Sequence, residues 1–159
     1  MTRFFLALFL FISACGYHIV GLEGDKTFFL KEINNKSRDL SITMDMQRNV
    51  TDFFSGYGIL ARDSASADYI LTVNLEQLEV TTSGRSATRE ATTSLLTLAY
   101  SFTAEDKNQR ILYSGSFARN RTFGSGESAT SYREQFDAAF VSLTEDILSE
   151  FKYEIDSLR

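Results

Sequence analysis

The chain has 159 residues, of which 43% are apolar and 23% charged, so one folded domain is favoured and wholesale disorder is excluded. Sixteen basic and twenty-one acidic side chains give a net charge of −5, which argues against a general nucleic-acid binder. One Cys and one His exclude an internal disulfide framework, a Cys-rich zinc site and a His-pair metal motif, so we expect no metal and no cofactor.

The N-terminus has the pattern of a secretion signal. Thr2-Arg3 is a short positive region, and the next nine residues, Phe4 to Ile12, are all apolar. Nine helical residues rise only ~14 Å, so this run is too short to span a hydrocarbon core of ~30 Å. The run leads into Ile12-Ser13-Ala14-Cys15, which resembles the bacterial lipobox, in which the Cys is acylated and becomes the first mature residue.

The lipobox sets the predicted domain organisation. We expect a lipoprotein signal peptide over 1–14, an acylated Cys15 with a tether over 15–25, and a single domain over 26–159. Acylated Cys15 would hold the protein on a bilayer. Gly16 after the Cys resembles the default for outer-membrane delivery. The alternative is an ordinary signal peptide with a Cys there by chance.

The first half of the domain predicts a strand and a helix. Thr27–Ile33 is typical of a strand, and the polar cluster 34–37 of a turn. A helix is predicted from about Ser41 to Tyr57, where Gly56 and Gly58 end it. Its apolar stripe consists of Met46, Val50, Phe53, Phe54 and Tyr57. Ile59–Ala61 is a candidate short strand.

Alternating apolar residues then predict a three-stranded meander. The first strand begins at Tyr69, and beyond Leu75 its apolar face switches to Leu78 and Val80. This switch indicates either a bulge or a strand that outgrows its covering layer. A polar hairpin tip at 83–91, a strand over 95–102, a turn at 105–109 and a strand over 111–123 follow.

The last predicted element is a long amphipathic helix from about Tyr132 to Leu158, with Ser131 and Glu134 as a capping box. Its apolar stripe is Phe136, Phe140, Leu143, Ile147, Phe151, Ile155 and Leu158. The element order is β-α-β-β-β-β-α. Two amphipathic helices can cover the apolar face of a meander, so we predict a two-layer α+β sandwich: a mostly antiparallel sheet of four to five strands, with both helices on one face.

The start of the mature chain resembles one family. Cys15-Gly16-Tyr17-His18-Ile19-Val20-Gly21 is similar to the opening of the lipopolysaccharide-assembly lipoproteins, the LptE family, and the element order matches as well. The resemblance implies a non-enzymatic outer-membrane lipoprotein in and under the lumen of the LptD β-barrel. Such a protein supports assembly of that barrel, binds lipopolysaccharide, and helps pass it to the outer leaflet.

Arginines cluster at one predicted end of the sheet, and lipid A phosphates require cations. The cluster comprises Arg85 and Arg89 in the hairpin tip, Arg119 and Arg121 at the end of the third meander strand, and Arg133 at the start of the last helix. We expect Arg119 and Arg121 to continue the apolar face past the helical cover. The resemblance matches Arg85, with Arg89 as the fallback, to a basic residue of the family's lipopolysaccharide-binding region. The alternative is that these arginines only solubilise exposed hairpin ends.

No catalytic residues are predicted. His18 has no partner constellation, and no nucleophile and base pair up in the sequence, so an enzyme is not expected. A second function class remains open: an auxiliary lipid-binding or scaffold lipoprotein of another envelope transport complex.

Overall fold

A computed structural model describes residues 26–83, 93–124 and 128–158. In these ranges a four-stranded sheet is covered on one face by two helices, which confirms the predicted α+β sandwich. The elements are β1 (Phe28–Asn35), a 3₁₀ turn (Leu40–Ile42), α1 (Thr43–Gly56), β2 (Tyr69–Ser83), β3 (Thr93–Glu105), β4 (Ile111–Gly124) and α2 (Ala129–Ser157). Neither helix has a stretch long and apolar enough to cross a membrane.

The sheet order follows the chain order, β1-β2-β3-β4. β1 and β2 are parallel because α1 carries the chain back between them, and the other two pairs are antiparallel. The candidate strand Ile59–Ala61 forms only an isolated bridge, between Leu60 and Phe28. At this bridge the backbone N–H of Phe28 donates to the carbonyl oxygen of Ile59, and the backbone N–H of Ala61 donates to the carbonyl oxygen of Phe28, both at 2.8 Å. The described residues therefore form four strands.

A β-bulge explains the switch of the apolar face in β2. Leu75 pairs with Tyr100, but Gln77 already pairs with Ala99, so one extra residue is accommodated between them. Leu78 consequently lies opposite buried Leu98 and returns to the helix-facing side of the sheet. Of the two predicted explanations, the bulge is correct.

The core lies between the sheet and the helices. From Ser94 onward, β3 alternates between buried and half-buried residues, as expected for a strand covered on one face. The predicted stripes of both helices are buried except for their last members, Tyr57 and Leu158. Each of these two residues is the C-cap of its helix, where the helical path ends and the stripe no longer continues onto the sheet.

The start of α2 differs from the prediction. Ser128, with extended backbone, is the N-cap, and its hydroxyl accepts a hydrogen bond from Ser131 N at 3.1 Å. Ser131 lies inside the helix, where its hydroxyl accepts from the side chain of Gln135. The predicted capping box at Ser131 is wrong because an equally good cap three residues earlier lets the helix begin sooner.

Candidate functional site

The structure describes three of the predicted arginines, Arg119, Arg121 and Arg133. Cys15, Arg85 and Arg89 lie outside the described residues. Arg119 and Arg121 lie on β4, and Arg133 lies on α2.

Arg119 and Arg121 lie on the helix-facing side of the edge strand β4, in line with half-buried Phe117 and buried Phe123. Arg119 forms an ion pair with Glu150 of α2. Arg121 lies 2.9 Å from Asp146 Oδ2 and also donates to the hydroxyl of Ser142. The expectation that both arginines extend beyond the helical cover is wrong: α2 folds back over β4, and its carboxylates reach them.

The two ion pairs form a ladder because the spacings on the strand and on the helix match. Residues two apart on a strand are separated by ~6.6 Å, and residues four apart on a helix by ~6 Å. Arg119 and Arg121 therefore face Glu150 and Asp146 in register. The same line continues to Tyr113, whose hydroxyl donates to Glu154 at 2.9 Å.

The ladder leaves the arginines accessible. Their side chains are 47% and 44% exposed, and exposed ion pairs contribute only about 0–1 kcal/mol each. A phosphate can therefore compete with the carboxylates of Glu150 and Asp146, since guanidinium groups bind phosphate in bidentate fashion. The strand and helix therefore present two guanidinium groups that are held by weak, exposed ion pairs.

Arg133 has different partners. Its Nε lies 2.9 Å from Asp137, one turn further along α2, and its Nη2 lies 3.3 Å from Asp45 of α1. The guanidinium also lies 5.7 Å from the centre of the Phe136 ring. Arg133 therefore ties the start of α2 to α1, whereas Arg119 and Arg121 tie β4 to the middle of α2.

Burial and carboxylates raise the pKa of Tyr113 to about 12. Desolvation is the main cause, and the hydrogen bond to Glu154 and the negative charge of Glu150 add to it. Tyr113 consequently stays neutral and remains a donor at neutral pH. Among the described residues, no group of three or more His, Cys, Asp or Glu could hold a metal ion.

The acidic partners of the arginines were not found from the sequence. Asp146 and Glu150 lie outside the predicted apolar stripe of the last helix, and that stripe does not indicate which strand they face. The available signal was spacing: carboxylates at i and i+4 on a helix can match arginines at i and i+2 on a strand. That signal becomes useful only once the helix is known to lie over β4.

No protein-family model and no curated protein sequence matches the chain. Several solved structures share its fold. A putative lipoprotein from Caulobacter crescentus CB15 aligns with TM-score 0.57 and 12% identity over 79% of this chain and 88% of that chain. The hypothetical protein CT253 from Chlamydia trachomatis aligns with TM-score 0.54 and 7% identity over 80% and 96%.

The rare lipoprotein B from Shewanella oneidensis is also similar, with TM-score 0.50 and 12% identity over 80% of this chain and 98% of that chain. At such identities the likeness establishes the fold alone. Two of these three proteins are described as lipoproteins, so the α+β sandwich found here also occurs in proteins of that class.

Proposed function

We propose that this protein is an outer-membrane lipoprotein that supports assembly of an LptD-type lipopolysaccharide-export β-barrel, binds lipopolysaccharide and helps deliver it to the outer leaflet. The observation that carries the proposal is the segment Cys15–Gly21, which resembles the LptE opening and directly precedes this α+β domain. The role is one of binding and assembly, without catalysis. The fold shared with bacterial lipoproteins supports the coarser part of the proposal, an anchored envelope protein.

Acylation of Cys15 would keep the domain near the bilayer. Ten residues separate Cys15 from Lys26, the first described residue, and the eleven residue-to-residue steps between the two span at most about 36–40 Å when extended. The domain would therefore reach a barrel embedded in the same membrane, or the inside of its lumen, without leaving its anchor.

Lipopolysaccharide binding would use the basic end of the meander. Arg85 and Arg89 lie in the segment joining β2 and β3, and Arg121 pairs with Leu96 near the start of β3. The ion pairs of Arg119 and Arg121 supply cations that are already ordered, and a lipid A phosphate would replace a carboxylate as their partner. Arg133 would contribute at the start of α2 if its two carboxylates yield in the same way.

The decisive experiment is affinity purification of the acylated protein from membranes solubilised in mild detergent, followed by mass spectrometry. A large outer-membrane β-barrel at near-equal amount is the expected result. Recovery of transporter subunits of another envelope complex, with no such barrel, would replace the proposal with the auxiliary or scaffold function. The Cys15→Ser variant, which should not be anchored, is the control: a protein that co-purifies only because it shares the membrane should be lost with this variant.

A further inference from the structure

A groove of about 510 Å³ lies between α1 and α2. Its α1 side includes Asn49, Asp52 and Tyr57, and its α2 side includes Val141 and Glu145. The arginine ladder touches this groove only through Asp146. The groove is therefore largely distinct from the arginine ladder.

The groove is lined by three carboxylates, of which Asp146 is paired with Arg121. Asp52 and Glu145 are exposed, and neither has an ion-pair partner in the part of the chain that the structure describes. α1 also ends here, at Gly56, with no basic residue in its last turn. The partial negative charge of a helix C-terminus therefore adds to that of the two carboxylates.

The same groove offers apolar surface. Tyr57 is 56% exposed and Val141 is 38% exposed, so both present apolar surface to the groove. The Lys152 Nζ lies 5.9 Å from the centre of the Tyr57 ring, which shows that a cation is accommodated at its face. An occupant that combines positive charge with apolar groups would complement both properties.

The lining favours a polypeptide over a small cation, because its carboxylates lie beside apolar surface that a small cation would leave uncovered. A metal ion fits less well, since no cluster of three potential ligands occurs in the described ranges.

We propose that this groove docks a basic, extended segment of a partner protein. Lysine or arginine side chains of the segment would pair with Asp52 and Glu145, and an apolar side chain would pack on Tyr57 and Val141. The inference does not depend on lipopolysaccharide binding, which concerns the arginines of β4, although the groove and the ladder share Asp146. It adds to the proposed function a contact by which α1 and α2 recognise protein.

The first test measures binding of a short fluorescein-labelled peptide of lysine and leucine, in a glycine-serine background, to the full purified chain by fluorescence anisotropy. The same peptide with glutamate in place of lysine is the specificity control. We expect saturable binding of the lysine peptide only. Absence of saturable binding, or equal binding of both peptides, would overturn the proposal.

Matched charge variants then locate the binding. Asp52→Asn with Glu145→Gln removes two charges from the groove, and Glu79→Gln with Glu134→Gln removes two from exposed positions outside it. Loss of two exposed charge contacts should lower the affinity of the groove variant for the peptide roughly fivefold. The affinity of the control variant should change little. Equal losses would show that bulk charge alone attracts the peptide, and the groove would be rejected.

A cross-linking experiment tests the proposal in the cell. A photo-reactive amino acid replaces Val141 in the groove or, as a control, Tyr153, which is exposed on α2. We expect Val141 to cross-link to a partner segment that contains lysine or arginine, and Asp52→Asn with Glu145→Gln to reduce that product. A mapped segment without basic residues, or a yield no higher than at Tyr153, contradicts the inference.

Discussion

The rings of Phe102 and Phe151 stack face to face, with centroids 4.4 Å apart and planes 12° from parallel. Both side chains are fully buried, one on β3 and the other on α2. The Phe151 ring also lies 6.0 Å from the ring of Phe28 on β1 and 6.5 Å from that of Phe54 on α1. Since the Tyr113 ring of β4 lies 5.6 Å away as well, both helices and three strands meet at Phe151.

Replacing Phe151 with Ala should therefore destabilise the whole domain. Truncation of a buried Phe costs about 3–5 kcal/mol, a large part of the roughly 5–15 kcal/mol that stabilises a domain. Urea unfolding followed by circular dichroism measures the loss. Tyr153→Ala, on the same helix but at a 76% exposed position, is the control and should change little. Similar midpoints for the two variants would contradict the assigned role of Phe151.

Most of the core could be predicted from the sequence because it depends on local periodicity. The 3.6-residue stripe predicts that Phe136, Phe140 and Phe151 lie on the buried face of α2, and the two-residue alternation that predicts β3 reappears in its burial, as at Tyr100 and Phe102. These patterns are properties of single elements. They hold regardless of how the elements are arranged.

The environment of the arginines could not be predicted, because it depends on how two elements pack. Whether Arg119 and Arg121 face water or a helix is decided by the path of α2 over β4. The earlier start of α2 at Ala129 has a local origin instead: Ser128 and Ser131 are both good N-caps by composition, and Ser128 is the one used. In both cases the sequence permits more than one arrangement.

The buried hydroxyl of Tyr100 predicts a loss of stability at alkaline pH. Burial raises the pKa of Tyr100 from 10.0 to about 12, partly offset by the hydrogen bond with Thr144. Between these values the unfolded chain has released the phenol proton and the folded chain has not, so stability falls as pH rises. The contribution, about 2–3 kcal/mol, is fully present below pH 10 and lost as pH approaches 12.

The measurement compares the native chain with Tyr100→Phe, which cannot ionise at this position. Free energies of unfolding in urea are determined below pH 10 and again towards pH 12. The native chain should lose more stability over this window than the variant. Tyr113, whose pKa is also raised, is present in both proteins and cancels in the comparison. Parallel losses in the two proteins would show that Tyr100 does not retain its proton in the folded state.

The anchor prediction concerns Cys15, the sole Cys of the chain. If Cys15 is the acylation site, Cys15→Ser should leave an unprocessed or soluble protein, since stable membrane attachment requires the acyl chains. Metabolic labelling with a radioactive fatty acid checks this directly. Label retained by the variant would mean that the chain is modified elsewhere or that the lipobox assignment is incorrect.

The final prediction tests whether the arginine ladder binds lipopolysaccharide. Arg119→Gln with Arg121→Gln should weaken binding roughly tenfold, equivalent to about 1.4 kcal/mol shared by two exposed charge contacts. Lys31→Gln with Arg110→Gln removes the same charge from two residues that are likewise ion-paired, with Glu105 and Asp106. Surface plasmon resonance measures affinity, and circular dichroism verifies folding.

The carboxylates of the ladder allow an opposite test. If phosphate must displace Asp146 and Glu150, then Asp146→Asn with Glu150→Gln should release both arginines and increase the affinity for lipopolysaccharide. Glu79→Gln with Glu134→Gln makes the same change in net charge without freeing an arginine, and should give a smaller increase that disappears at high salt. Equal increases in the two variants, together with equal losses in the two arginine and lysine variants, would mean that lipopolysaccharide responds only to net charge. The ladder would then be a structural contact between β4 and α2, and the binding site would have to be sought elsewhere on the domain.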